Sequence, residues 1–156
     1  RQCISKRGIK NIIDIPSELY NKQMDPINEN YRNARQITEY VNKKCNMNML
    51  PVGLDGIQET VDDIPELEIS PDDRVAIIYE DSYFENACYD NLPVNLYINS
   101  GEIIRGMYNV LPISKSKGLE FEKVIVLANG MSDNEFYVAC TRAISELYVI
   151  ENKCSN

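Results

Sequence analysis

Histidine is missing from all 156 residues. Its absence removes Ser-His-Asp and Cys-His nucleophilic catalysis, and with them the commonest metal ligand. Cysteine is sparse: Cys3, Cys45, Cys88, Cys140 and Cys154 are an odd number with wide, irregular spacing and no CxxC pair. Neither a zinc site nor a disulfide framework is expected, and free thiols in a reducing cytoplasm are the simpler reading. No apolar run approaches the roughly 20 residues needed to span a bilayer, and no signal peptide is expected. The chain therefore reads as cytoplasmic, without a membrane partner. A phosphate-binding P-loop is also lacking. The nearest approach, Gly101 to Gly106 followed by Met107 and Tyr108, has neither the lysine nor the hydroxyl that would hold phosphates and magnesium.

What is present suits one globular domain. The apolar fraction of 44% is ordinary, and the length is enough to bury a core unaided. The first residue is Arg rather than Met, so the chain is expected to be part of a longer one. The net charge of −8 is uneven: residues 55–90 hold 12 acidic side chains against Arg74 alone. The plain reading of that block is a solvated, loop-rich face, with a basic protein partner as the functional alternative. An acidic protein has no long-range attraction to nucleic acid.

Periodicity supplies the elements. Residues 1–26 carry mixed signals, with a short buried segment over Ile9 to Ile15. Ala34, Ile37, Tyr40 and Val41 recur at helical spacing, which predicts an amphipathic helix beginning near Asn33. Residues 51–73 are rich in Gly, Pro and Asp and read as loops with short strand pieces. Strands are expected at Val75 to Tyr79, Val94 to Ile98, Tyr108 to Ile113, Val124 to Ala128 and Leu147 to Ile150, with a helix over 82–91. Ser132 or Asp133 can cap a further short helix, with Tyr137 and Arg142 near its two ends. Apolar strands separated by crossovers predict an α/β fold with a parallel sheet covered on both faces. The polar loop from Ser114 to Glu120 is then expected at the carboxyl ends of the strands, where open α/β sheets bind ligands.

Individually the polar residues are ambiguous. Glu80 and Asp81 after the Val75 strand resemble a magnesium-binding acid, but apolar strands ending in acids are common and no metal is assigned. Lys117 offers a point charge, Gly118 lets the backbone approach a ligand, and Glu120 can accept from ribose hydroxyls. The same three residues could equally form a surface turn. Arg142 could simply complement a helix dipole, and Tyr31-Arg32 could be a packing aromatic beside a solvated charge.

In combination and order these residues resemble the second RecA-like domain of UvrD/Rep-type superfamily 1 helicases. Asn30-Tyr31-Arg32-Asn33 looks like motif IV, Ser116-Lys117-Gly118-Leu119-Glu120-Phe121 like motif V, and Tyr137-Val138-Ala139-Cys140-Thr141-Arg142-Ala143 like motif VI. The resemblance implies a RecA-like (P-loop NTPase-like) sheet flanked by helices on both faces, a single domain over 1–156 with its motifs within 28–150. It also implies ATP bound between this domain and an N-terminal RecA-like domain that holds the P-loop and Mg2+. Arg142 would then be the arginine finger, and Arg32 a second γ-phosphate contact. Tyr31 would stack on adenine, Glu120 would bond near the ribose or γ-phosphate, Lys117 and Gly118 would shape the linking loop, and Thr141 would orient the finger.

Single-stranded DNA is the implied partner, through Ser114 and Ser116. Ser114 departs from the histidine of many relatives, which places that contact in doubt. Only 82 residues separate motifs IV and V, so the large helical insertion of UvrD and Rep is absent or minimal, as in helicase IV/HelD-type relatives. The function implied is the C-terminal motor domain of an ATP-dependent DNA helicase. The alternative is an ATP-dependent module that remodels nucleoprotein or RNA polymerase without unwinding.

Overall fold

The computed structural model describes residues 29–82 and 91–151. The expected buried segment at Ile9 to Ile15 and the expected helix over 82–91 therefore fall wholly or largely outside the described residues.

Six strands form one all-parallel sheet. They are β3 (Ile57–Thr60), β4 (Val75–Tyr79), β5 (Val94–Leu96), β6 (Tyr108–Pro112), β7 (Phe121–Leu127) and β8 (Ala143–Ile150), in the spatial order β3-β8-β7-β4-β6-β5. A separate two-residue ladder joins β1 (Glu29–Asn30) to β2 (Leu50–Pro51). Among the described residues the α-helices are α1 (Arg35–Cys45), the single turn α2 (Tyr97–Ser100) and α3 (Asp133–Cys140).

Every residue of β4 is buried, as expected of a central strand covered on both faces. Ala76 and Ile78 join Leu111, Val124, Val126, Leu147 and Val149 beneath α1 and α3. Val75, Ile77 and Tyr79 point the other way, with Val110, Ile125, Leu127, Tyr148 and Ile150. That face is covered by Val61, Ile64, Leu67 and Ile69 of the long acidic connection. The acidic block is thus not merely solvated: its apolar residues close one face of the sheet.

Local chemistry sets the element ends. In α1, Ile37, Thr38 and Val41 form the buried stripe, Lys43 and Lys44 lie in the last turn where cations suit the dipole, and Asn46 ends the helix in the left-handed conformation. Asn33 is not its cap. The first N–H groups are met by tertiary carbonyls instead, Ala34 donating to Ile144 and Arg35 to Leu54. Helix α3 starts with a full capping box, in which Ser132 Oγ accepts from the Glu135 amide while the Glu135 carboxylate accepts from the Ser132 amide.

The expected strand Val94 to Ile98 stops at Leu96, because Tyr97–Ser100 turns into helix and Gly101 closes it at φ 74°. Strands β7 and β8 begin earlier than their apolar runs suggest, at Phe121 and Ala143, because buried Phe121 pairs with Ala143. Tyr137 lies in the middle of α3 rather than near an end, whereas Arg142 lies near the carboxyl end, two residues beyond it.

Candidate functional site

The loop from Ser114 to Glu120 does not stay at the carboxyl ends of the strands. Pro112 is level with Tyr79 at the carboxyl end of β4, whereas Phe121 lies two residues before Lys123, which is level with Val75 at the amino end. The chain therefore crosses the sheet between Pro112 and Phe121, levels that lie roughly 20 Å apart along the strands at the usual rise per strand residue. This divides the sequence-derived residues into two groups.

Ser114 belongs to the carboxyl end. It is exposed, and its amide donates to Asp81 Oδ1 at 3.0 Å. Asp81 thereby has a structural role, anchoring the start of the crossover to the end of β4. Ser116 is buried, and its hydroxyl donates to the Ile113 carbonyl at 2.7 Å, closing the turn. Lys117 and Gly118 form the exposed bend that follows. At φ 79° Gly118 occupies the left-handed region that favours glycine, with open space where a Cβ would lie.

The second group gathers at the amino ends of β7 and β8. Three segments far apart in sequence meet there: the turn after β1, the end of the crossover, and the turn after α3. Arg32 pairs with Glu120 at 3.1 Å across the first two. Both side chains are substantially exposed, so the pair contributes at most about 1 kcal/mol and can open readily.

Arg142 is only 3% exposed. Its Nε donates to the Val138 carbonyl at 3.0 Å, its Nη1 to the Leu119 carbonyl at 3.3 Å, and its Nη2 to Thr141 Oγ1 at 3.4 Å. Three of five guanidinium N–H groups are thus engaged by neutral acceptors, and two remain. Among the described residues no carboxylate forms an ion pair with it. Burial depresses its pKa and the neighbouring Arg32 charge lowers it further, while Glu120 and Tyr137 act in the opposite direction. Arg32 and Glu120 largely cancel each other, which leaves Arg142 as a desolvated, unpaired positive charge.

Thr141 Oγ1 is held by the Tyr137 and Val138 carbonyls at 2.9 and 3.1 Å, so it presents a fixed acceptor to Arg142. Tyr31 stands beside Arg32 in sequence and is 69% exposed, its hydroxyl tethered to Glu29 Oε1 at 2.7 Å. A tethered phenol with a free ring suits stacking on a planar base. Val52 and Leu54, also exposed, flank Gly53, which lies against the backbone of Tyr31 and Asn33.

Reading the sequence singled out neither Asn33 nor Gly53 as part of this assembly. Asn33 Nδ2 donates to the carbonyls of Thr141 and Ala143, at 3.0 and 2.6 Å. The one sequence signal for it was its place in the Asn30–Asn33 run. Among the described residues no group of three or more Cys, Asp or Glu side chains comes together to hold a metal, and no helix is long and apolar enough to cross a membrane.

No protein-family model and no curated protein matches the chain. Among solved structures, the chain is similar to the C-terminal domain of a possible DNA helicase from Lactobacillus plantarum WCFS1. The identity is 21% and the TM-score 0.50, over 77% of this chain and 86% of that one. It is also matched to the PRRSV nsp10 helicase, at 13% identity and a TM-score of 0.44, over 81% of this chain and 24% of that one. At such identities what is shared is a fold: this chain has the RecA-like, all-parallel α/β architecture of a helicase C-terminal domain.

Proposed function

We propose that this chain is the second RecA-like domain of an ATP-driven helicase or translocase, supplying arginines to a nucleotide held mainly by an N-terminal RecA-like domain. The observation that carries this reading is the meeting of Arg32, Glu120 and Arg142 at one end of the sheet around an unpaired, buried guanidinium. Phosphoryl transfer spreads charge over the γ-phosphate oxygens, and a preorganised guanidinium in a low-dielectric site stabilises that charge at little reorganisation cost. Arg142 is the finger, with its two uncommitted N–H groups available to a phosphate oxygen. Thr141 and the Val138 and Leu119 carbonyls hold its plane.

Arg32 is the second cation, released to the nucleotide when its weak pair with Glu120 opens. Glu120 then turns to the ribose or the γ-phosphate, and Tyr31 stacks on the adenine. Lys117 and Gly118 form the bend that links this end of the sheet to the Ser114 end. Single-stranded nucleic acid is the partner proposed for the exposed Ser114 end, although Asp81 beside it tempers attraction to phosphate. Ser116 contributes by closing the turn rather than through a free hydroxyl. Magnesium and the β-phosphate belong to the N-terminal domain, because this sequence has no P-loop to hold them.

The test is ATP hydrolysis by the full-length protein, with and without single-stranded DNA, for wild type and Arg142→Ala. DNA-stimulated hydrolysis that falls by about a thousandfold in the variant is expected, the size typical of a removed arginine finger. Normal hydrolysis by Arg142→Ala would sink the assignment. Hydrolysis without strand displacement would favour the remodelling alternative, in which the same cleft drives a protein from nucleic acid. The 156-residue chain alone is expected to be inactive.

A further inference from the structure

Asn33 is 2% exposed, yet no requirement of α1 explains it: the helix is capped by other groups. Its carboxamide is fully committed. Both Nδ2 protons go to carbonyls of another segment, Thr141 at 3.0 Å and Ala143 at 2.6 Å, the residues on either side of Arg142. Its Oδ1 accepts from Asn30 Nδ2 at 2.9 Å. Asn30 Oδ1 in turn accepts from the amides of Arg32 and Asn33, at 3.1 and 3.0 Å, which fixes the turn that carries Arg32. A continuous relay therefore runs from the backbone of Arg32, through two asparagine side chains, to the backbone bracketing Arg142.

We propose that Asn33 is a positioning residue that locks the Arg32 turn to the Arg142 turn, so that both guanidinium groups meet one anion as a single preorganised unit. The inference rests on the motor reading for its catalytic consequence, but not for its structural one. The two turns are about 110 residues apart and also share the backbone bond from the Ala34 amide to the Ile144 carbonyl at 2.8 Å, while the side-chain ties that reach the crossover are the Arg142 bond to the Leu119 carbonyl and the exposed, weak Arg32–Glu120 pair. Burial makes the asparagine bonds the stronger restraint, because neither carbonyl can exchange its partner for water. An asparagine is required in particular. Serine or alanine cannot bridge two carbonyls, and aspartate would face both of them with oxygen.

The test has two parts. In the full-length protein, Asn33→Ala is expected to lower kcat for ATP hydrolysis by about 10- to 100-fold, as a misplacement near 1 Å can do, with KM changed less than threefold. Asn33→Asp should be at least as impaired. Adding Asn33→Ala to Arg142→Ala should cost nothing further, since one acts through the other.

A kcat loss that multiplies in the double variant, or a fall in melting temperature with kcat unchanged, overturns the proposal. The second part needs no activity: hydrogen exchange of the Arg142 Nε–H in this chain, followed by nitrogen-15 NMR. Exchange should quicken more than tenfold in Asn33→Ala, and unchanged exchange overturns the proposal. If Arg142→Ala hydrolyses ATP normally while exchange still responds to Asn33, the motor reading fails and the positioning role stands.

Discussion

Gly53 offers a direct way to test how the site is braced. A Cβ added there would sit 2.1 Å from the Asn33 carbonyl oxygen and 3.4 Å from that of Tyr31, both backbone atoms. Real Cβ contacts essentially never fall below 3.0 Å, so Gly53→Ala must move one backbone segment by about 1 Å. The neighbouring bond from the Arg35 amide to the Leu54 carbonyl, 2.7 Å long, would be strained by the same shift. Overpacking against backbone costs about 2–3 kcal/mol. Gly101→Ala is the control: at φ 74° with nothing within 4 Å, it carries only the left-handed penalty of about 1–2 kcal/mol.

In urea, with a slope of about 2 kcal/mol/M, the midpoint of Gly53→Ala should lie roughly 0.5 M below that of Gly101→Ala at unchanged slope. Because the displaced carbonyl belongs to Asn33, Gly53→Ala should also quicken exchange of the Arg142 Nε–H, whereas Gly101→Ala should not. Equal midpoints together with equal exchange would refute the claim that the 52–56 loop is wedged against the Arg32 turn.

Three further outcomes are expected. Burial alone would raise the Glu122 pKa, but bonds from the Arg74 amide at 2.6 Å and the Arg74 guanidinium at 3.2 Å outweigh it and hold the pKa below the usual glutamate value. A depressed folded pKa stabilises the protein above the unfolded value and is lost as pH falls through the folded one, so Glu122→Gln should flatten the acid limb of stability measured by urea unfolding. Ser132→Ala removes the capping box of α3 and should cost about 1 kcal/mol, read as a lower melting temperature. Cys140 is fully buried, and burial pushes its thiol well above the ordinary range. It should resist alkylation at neutral pH until the chain unfolds, as peptide mapping by mass spectrometry would show.

Much of the fold was legible because a parallel sheet buries its central strands on both faces. Val75–Tyr79 and Val124–Leu127 are continuous apolar runs for that reason, and a cap at Ser132 or Asp133 marked the start of α3, which the structure places at Ser132. The three helicase-like motifs were also visible as strings, which brought Arg32, Glu120 and Arg142 to attention before any geometry existed.

What only the tertiary structure decided is which of these residues meet, and at which end. A string of eight residues from Ile113 to Glu120 does not reveal that it crosses the sheet, since that depends on the register of β6, β4 and β7. Pairing of Phe121 with Ala143 then draws Glu120 and Arg142 to the amino ends and leaves Ser114 at the other. The role of Asn33 was hidden for the same reason. Its two acceptors are backbone carbonyls more than 100 residues away, and a carbonyl carries no side-chain signature in a sequence. Composition and periodicity determine what is buried; only the packed chain determines which buried polar groups find one another.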